Sequence, residues 1–182
     1  MIRGAIIVSL FLALTSGTVW ASSGVVIDPK GERLEGVSVC YRIGNVDELC
    51  SSTDEQGRWV LPKSDIDRVA LTFKGYLTRF IDGGVQSEPV ILEPGATLLV
   101  RLEDAAGRSL AEGEIEVLYS SGRRIGPIPI SRAAGTLIRS LQPGPVVIVG
   151  RSAGFVDGRA GESELHAGKE TVAVVKLKPV RD

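Results

Sequence analysis

The chain has 182 residues, of which 24% are charged, and its 21 Lys and Arg nearly balance 22 Asp and Glu for a net charge of −1. Residues 22–95 carry 8 basic against 12 acidic side chains, and residues 96–182 carry 12 against 10. Neither half therefore has the dense basic face of a nucleic-acid binder, and the length suits one medium domain or two small ones.

Residues 1–21 read as a leader to be removed. Arg3 supplies the positive start, AIIVSLFLAL the apolar core, and Val19-Trp20-Ala21 a small residue at the cut. The apolar run is short for a bilayer span and lacks a stop-transfer flank, so a cleaved signal peptide is expected, with no stable membrane insertion afterwards. The first cysteine is Cys40, far from that core, so no lipid-anchor cysteine is expected. The expected location is the periplasm of a Gram-negative bacterium, or the medium beyond it.

Strand signals follow in order: VSVCYR, RWVLP, RVALTF, PVILEP, TLLVRLE, GEIEVLYS, PVVIVGR and TVAVVKLKP. Each is short, rich in β-branched and aromatic residues, and bounded by Gly, Pro or Asp. Val37, Val39 and Tyr41 share one face while Ser38, Cys40 and Arg42 share the other; Trp59 and Leu61 likewise oppose Arg58 and Val60. Cys40 and Cys50 flank a polar turn, so pairing of their strands sets them opposite each other for a disulfide, as expected of an exported protein. No segment is long enough for a helix, GESELHAG included. The spacing predicts an all-β chain of sandwich type.

The spacing Asp-x-x-Gly occurs as DPKG (Asp28–Gly31), DEQG (Asp54–Gly57) and DAAG (Asp104–Gly107). Asp at the first position of a type I turn accepts a backbone N–H two residues on, and Gly at the fourth takes the left-handed conformation. A calcium loop needs several closely spaced carboxylates, which these lack, so three turns are predicted. The halves also echo each other. Gly31, Leu34 and Gly36 recur as Gly107, Leu110 and Gly113, Gly75-Tyr76 as Gly154-Phe155, and Leu92-Glu93-Pro94 as Leu177-Lys178-Pro179. An internal duplication follows, with its boundary near Pro94-Gly95.

GVVIDPKGERLEGVSV, TDEQGRWVL, LTFKGY and VILEP, in that order over residues 24–94, resemble a carboxypeptidase regulatory-like domain, a transthyretin-like β-sandwich. Residues 96–180 resemble a divergent copy whose middle motif has become SRAAGTLIRSL. The resemblance implies two tandem Ig-like or transthyretin-like (prealbumin-like) sandwiches, residues 22–95 and 96–182, each of seven strands. It implies a core aromatic at Trp59, no catalytic residues, and a role as spacer, folding aid or interaction module.

GRSAG (Gly150–Gly154) matches the Gly-x-Ser-x-Gly nucleophile elbow, with Asp157 and His166 following in hydrolase order. The elbow needs a helix after the serine, and FVDGRAGE with Gly158 and Gly161 will not hold one. A serine hydrolase using Ser152 is thus the remote reading. His166, the single histidine, cannot supply a catalytic zinc shell, so no metal and no cofactor is expected. A carbohydrate-binding module is the main alternative to an envelope interaction module, because sandwiches with exposed aromatics form sugar platforms; Tyr76 and Tyr119 are the candidates. Arg123 and Arg124 sit at an expected hairpin tip before Pro127 and Pro129, an edge-strand pattern, and are candidates for an acidic partner or anionic envelope polymer. The expected partner is another envelope protein or a polysaccharide, not nucleic acid.

Overall fold

The computed structural model describes residues 22–42, 48–62 and 66–180. The expected signal peptide and the turn at 43–47 between the cysteine strands lie outside them. Every regular element among the described residues is a β-strand. No helix there is long and apolar enough to cross a membrane.

Seven strands come before Gly95: β1 (Ser22–Ile27), β2 (Ser38–Tyr41), β3 (Leu49–Ser52), β4 (Arg58–Leu61), β5 (Arg68–Thr72), β6 (Arg79–Asp82) and β7 (Val90–Ile91). They form two sheets, ordered β4-β1-β7 and β3-β2-β5-β6. β7 runs parallel to β1, and the other pairs are antiparallel. The alternation in VSVCYR is realised: Val37 and Val39 are fully buried and Tyr41 nearly so. They pack with Trp59, Leu61, Leu71 and Leu92 in one apolar cluster. Gly24 lies directly across from Trp59, and a Cβ there would come within 3.0 Å of the indole, so the missing side chain makes room for the ring.

The chain then builds a second set: β8 (Ala96–Glu103), β9 (Ser109–Leu110), β10 (Gly113–Tyr119), β11 (Arg124–Ile130), β12 (Thr136–Leu141), β13 (Gly144–Arg151), β14 (Phe155–Val156), β15 (Gly158–Arg159), β16 (Ser163–Leu165), β17 (Glu170–Lys176) and β18 (Lys178–Pro179). The order β12-β8-β17 repeats β4-β1-β7, with β17 again parallel to β8. The order β11-β10-β13, completed by β15 and β16, repeats β3-β2-β5-β6. Leu98, Val100, Leu102, Ile115, Val117, Ile148, Val175 and Leu177 centre a second cluster.

Finer marks recur as well. Tyr76 bridges to Pro94, and Phe155 pairs with Pro179. The Gly95 N–H donates to the Gly75 carbonyl at 2.8 Å, and the Val180 N–H to the Gly154 carbonyl at 3.0 Å. These are the residue pairs that the repeated Gly-aromatic and Leu-x-Pro motifs align.

Gly95 joins the two sets with no spacer. Its N–H is held by Gly75 and its carbonyl accepts the Gly168 N–H at 3.0 Å. A Cβ at this position would sit 2.7 Å from the Ser140 Cα. Cys40 and Cys50 are directly opposite on β2 and β3 and form the expected disulfide.

Gly95→Ala should cost about 1–3 kcal/mol through overpacking against the Ser140 backbone. Gly161→Ala, where a Cβ meets nothing within 4 Å, should be near neutral; urea unfolding of both variants checks the contrast. Replacing both cysteines by serine should cost about 3 kcal/mol, the chain-entropy value for so short a loop. The same denaturation curves read that loss.

Candidate functional site

The three Asp-x-x-Gly segments are the same turn. Asp28 Oδ1 accepts the N–H groups of Lys30 and Glu32 at 2.8 and 2.9 Å. Asp54 Oδ1 does so for Gln56 and Arg58, and Asp104 Oδ1 for Ala106 and Arg108. Gly31, Gly57 and Gly107 all have positive φ, 68–85°, and each N–H closes the turn on the Asp carbonyl. One oxygen of each carboxylate is thus taken by the turn's own backbone, and at Asp54 and Asp104 the other accepts from the Nε of Arg58 and Arg108. Among the described residues no group of three His, Cys, Asp or Glu is placed to hold a metal.

The elbow motif is equally local. Ser152 Oγ donates to the Glu112 carbonyl at 2.8 Å, and Asp157 accepts from Arg151 Nε at 2.9 Å. Arg151 also bridges to Glu116, and these two carboxylates hold its guanidinium firmly protonated, raising its pKa. His166 is exposed in the turn after β16.

Of the aromatics singled out, Tyr76 is half-buried and packs on Phe73 with ring centroids 5.5 Å apart. Tyr119 is 9% exposed; its hydroxyl donates to the Gln142 carbonyl at 3.1 Å and the Arg123 guanidinium lies 5.9 Å from its ring centre. Burial pushes both phenols upward in pKa. Tyr119 thus lies in the core instead of at an exposed edge, because it continues the inward row of Ile115 and Val117 along β10. Arg123 and Arg124 do occupy the β10–β11 hairpin, closed by Gly122 N–H on the Tyr119 carbonyl at 2.9 Å. The Arg123 side chain reaches the Gln142 side-chain carbonyl at 3.3 Å.

The exposed aromatic is Phe80, more than half open to solvent and alone in this among the aromatics of the described residues. Register explains it. Cys50, Cys40, Ala70 and Phe80 stand in one row across β3, β2, β5 and β6. Cys40 belongs to the outward set opposite Val39 and Tyr41, so Phe80 must face outward with it. The Arg68 guanidinium lies 5.6 Å from the Phe80 ring centre, and Arg68 stands opposite Asp82. Arg68 and Phe80, with Arg42, Glu48 and Ala70, line a shallow depression of about 250 Å³ floored by Cys40 and Tyr41. The patch sets an apolar ring beside a delocalised cation, a pairing of residue types suited to binding. Sequence reading missed it because the outward direction of Phe80 is set by pairing, not by RFID alone.

No protein-family model matches the chain, and no curated protein matches it. Among solved structures it is similar to the Bacillus anthracis TIE protein, with a TM-score of 0.44 and 16% identity over 88% of this chain and 34% of that one. It is similar to the Streptococcal ancillary pilin with a TM-score of 0.42 and 15% identity, over 88% of this chain and 62% of that one. The minor pilin GBS52 of Streptococcus agalactiae matches with a TM-score of 0.37 and 12% identity, over 82% of this chain and 85% of that one. This chain spans about a third of the first protein and less than two thirds of the second.

Asp104 yields a pH test. The Arg108 backbone N–H, then the Arg108 side chain at 2.7 Å, holds the Asp104 carboxyl below its ordinary value of 3.8. A folded-state pKa below the unfolded one contributes stability that is present above pH 3.8 and lost as pH falls through the folded value. Asp104→Asn should therefore be less stable than wild type at pH 7, with the gap closing below pH 3.8. Thermal unfolding from pH 7 to pH 2 measures it.

Proposed function

We infer that this is an exported, non-enzymatic protein of two tandem transthyretin-like sandwiches, residues 22–95 and 96–182, that follows a cleaved signal peptide at residues 1–21. Its role is that of a structural and protein-interaction module of the bacterial envelope, periplasmic or secreted. The first sandwich is read as a carboxypeptidase regulatory-like domain and the second as its divergent copy. Support for tandem copies comes from the two repeated sheet orders and from the matched Tyr76–Pro94 and Phe155–Pro179 pairs. Support for export comes from the Cys40–Cys50 disulfide, a bond that persists in oxidising compartments.

The observation that carries the interaction reading is the Phe80–Arg68 pair on a disulfide-clamped sheet. Exposed aromatic and Arg side chains on a rigid support are the residue types that dominate protein–protein binding energy. A polysaccharide is the second reading, since an open ring is what sugars stack on. The protein reading is preferred because Arg68 already lies against the Phe80 ring, so a stacking sugar must displace it. Arg123 and Arg124 remain candidate contacts for an acidic surface, and Tyr76 a half-buried one; the burial of Tyr119 makes it the weakest of the four.

In-cell cross-linking of the full chain, followed by mass spectrometry of what co-purifies from the envelope, tests the reading. A reproducible protein partner is expected. Phe80→Ala should weaken that complex at least tenfold, about 1.4 kcal/mol, while changing stability by less than about 0.5 kcal/mol, as an exposed position should. Undiminished binding by Phe80→Ala would remove the patch from the argument, and recovery on polysaccharide alone would move the role to glycan binding.

A further inference from the structure

Eight strands besides β17 bound the four main sheets, and most carry a device against stray pairing or are very short, as β15 and β16 are with two and three residues. β11 contains Pro127 and Pro129. β12 breaks register between Ile138 and Leu141, where Ser140 has φ of 58°. β7 has two residues and follows Pro89, β3 is tied to β2 by the disulfide, and β4 and β6 have four residues each. β17 is different. It is a seven-residue edge strand, ETVAVVK, with no Pro, no Gly and no bulge, paired to β8 along its whole length and to no strand on its other side among the described residues. Such an edge is a template for another strand.

The backbone polarity of that edge can be read off. The Leu177 N–H donates to the Glu103 carbonyl, and the Lys169 carbonyl accepts from Thr97. Because direction alternates along a strand, the odd-numbered residues of β17 turn their N–H and C=O groups to β8. Glu170, Val172, Val174 and Lys176 turn theirs outward. Their side chains also share the solvent face, where Val172 is 54% exposed and Val174 36%. Val172 stands beside the half-buried Leu99 and Leu137, extending an apolar strip. β16 meets the strand through the Thr171 hydroxyl, which donates to the Glu164 carbonyl at 3.4 Å.

The strand is complementary to itself. Laid antiparallel against a second copy about Ala173, it sets Glu170 opposite Lys176 of the copy, Val172 opposite Val174, Val174 opposite Val172, and Lys176 opposite Glu170. In that register the residues with free N–H and C=O groups are the ones that face each other, so the hydrogen-bonded pairs form without a slip. A one-residue shift loses this match, bringing outward-turned backbone against groups already engaged with β8.

We propose that two copies of this chain pair through β17, antiparallel about a two-fold axis at Ala173, joining their β12-β8-β17 sheets into one continuous sheet. The interface is isologous, so the same patch serves both copies and growth stops at two. The dimer is independent of the envelope role: it needs no envelope partner, and a monomer would leave that role standing.

The chain expressed from its full-length sequence and purified from the compartment that receives it should sediment at equilibrium as a dimer. Lys176→Glu sets carboxylates against each other at both ends of the strand pair and should raise the dimer dissociation constant roughly tenfold or more at low salt, less at high salt. The double variant Glu170→Lys/Lys176→Glu restores opposite charges and should return it to near the wild-type value. Both side chains are exposed, so folding is not in question. Hydrogen exchange should slow at the Val172 and Val174 amides as the protein concentration rises. A monomer throughout, a Lys176→Glu variant that dimerises as wild type does, a double variant that fails to recover, or unprotected Val172 and Val174 amides in a dimer would each overturn the proposal.

Discussion

Parallel pairing of the first and last strands of each half, β1 with β7 and β8 with β17, governs the rest of the molecule. A parallel pair cannot be closed by a hairpin, so each half must lay down all its intervening strands before that pair can form. The closing strand then brings Leu92 and Leu177 onto their respective cores, both fully buried. Because first and last strands run the same way, the chain enters each half at one end of the sheet and leaves at the other. Pro94 and Gly95 therefore pass directly into β8, and Gly95 is hydrogen-bonded to both halves. A residue so placed has little freedom to act as a hinge.

The disulfide does its work where apolar burial is weakest. None of the four residues of β3 is fully buried, so the strand gains little from the core. Its ladder to β2 would fray in solvent without a further constraint. The Cys40–Cys50 bond supplies it and lies on the outward face, in the row that ends at Phe80. The rigidity of the candidate binding patch thus depends on a covalent link that adds little to the interior.

Much of this was legible in the sequence, and the limits are physical. The alternation of Val37, Val39 and Tyr41 and of Trp59 and Leu61 was readable because one buried face imposes a period of two. The turns were readable because Asp and Gly act within five residues, as the Asp28, Asp54 and Asp104 bonds show. What depends on partners was not readable. β3, β6, β14 and β15 are two to four residues long and carry no periodicity of their own. RFID gives Phe80 no direction of its own, and its neighbours across the sheet place it outside. Tyr119 had the opposite fate, and Ile115, Val117 and Tyr119 already spelled an inward row.

The two halves differ most where they meet solvent. At the position of Asp54 the second half has Arg132, yet Gly135 still closes the turn on the Arg132 carbonyl at 2.9 Å with φ of 94°. A Cβ at Gly57 would strike the Val26 carbonyl at 2.6 Å, and at Gly135 the Val100 carbonyl at 2.3 Å. Glycine is therefore the demand of that turn and aspartate an aid. The disulfide and Phe80 belong to the first half, and the long unguarded edge belongs to the second. These surfaces lie on different sheets of different halves, so use of one leaves the other free. A dimer joined through β17 carries two Phe80 patches, and a partner presenting two matching sites is held far more strongly than by either patch alone.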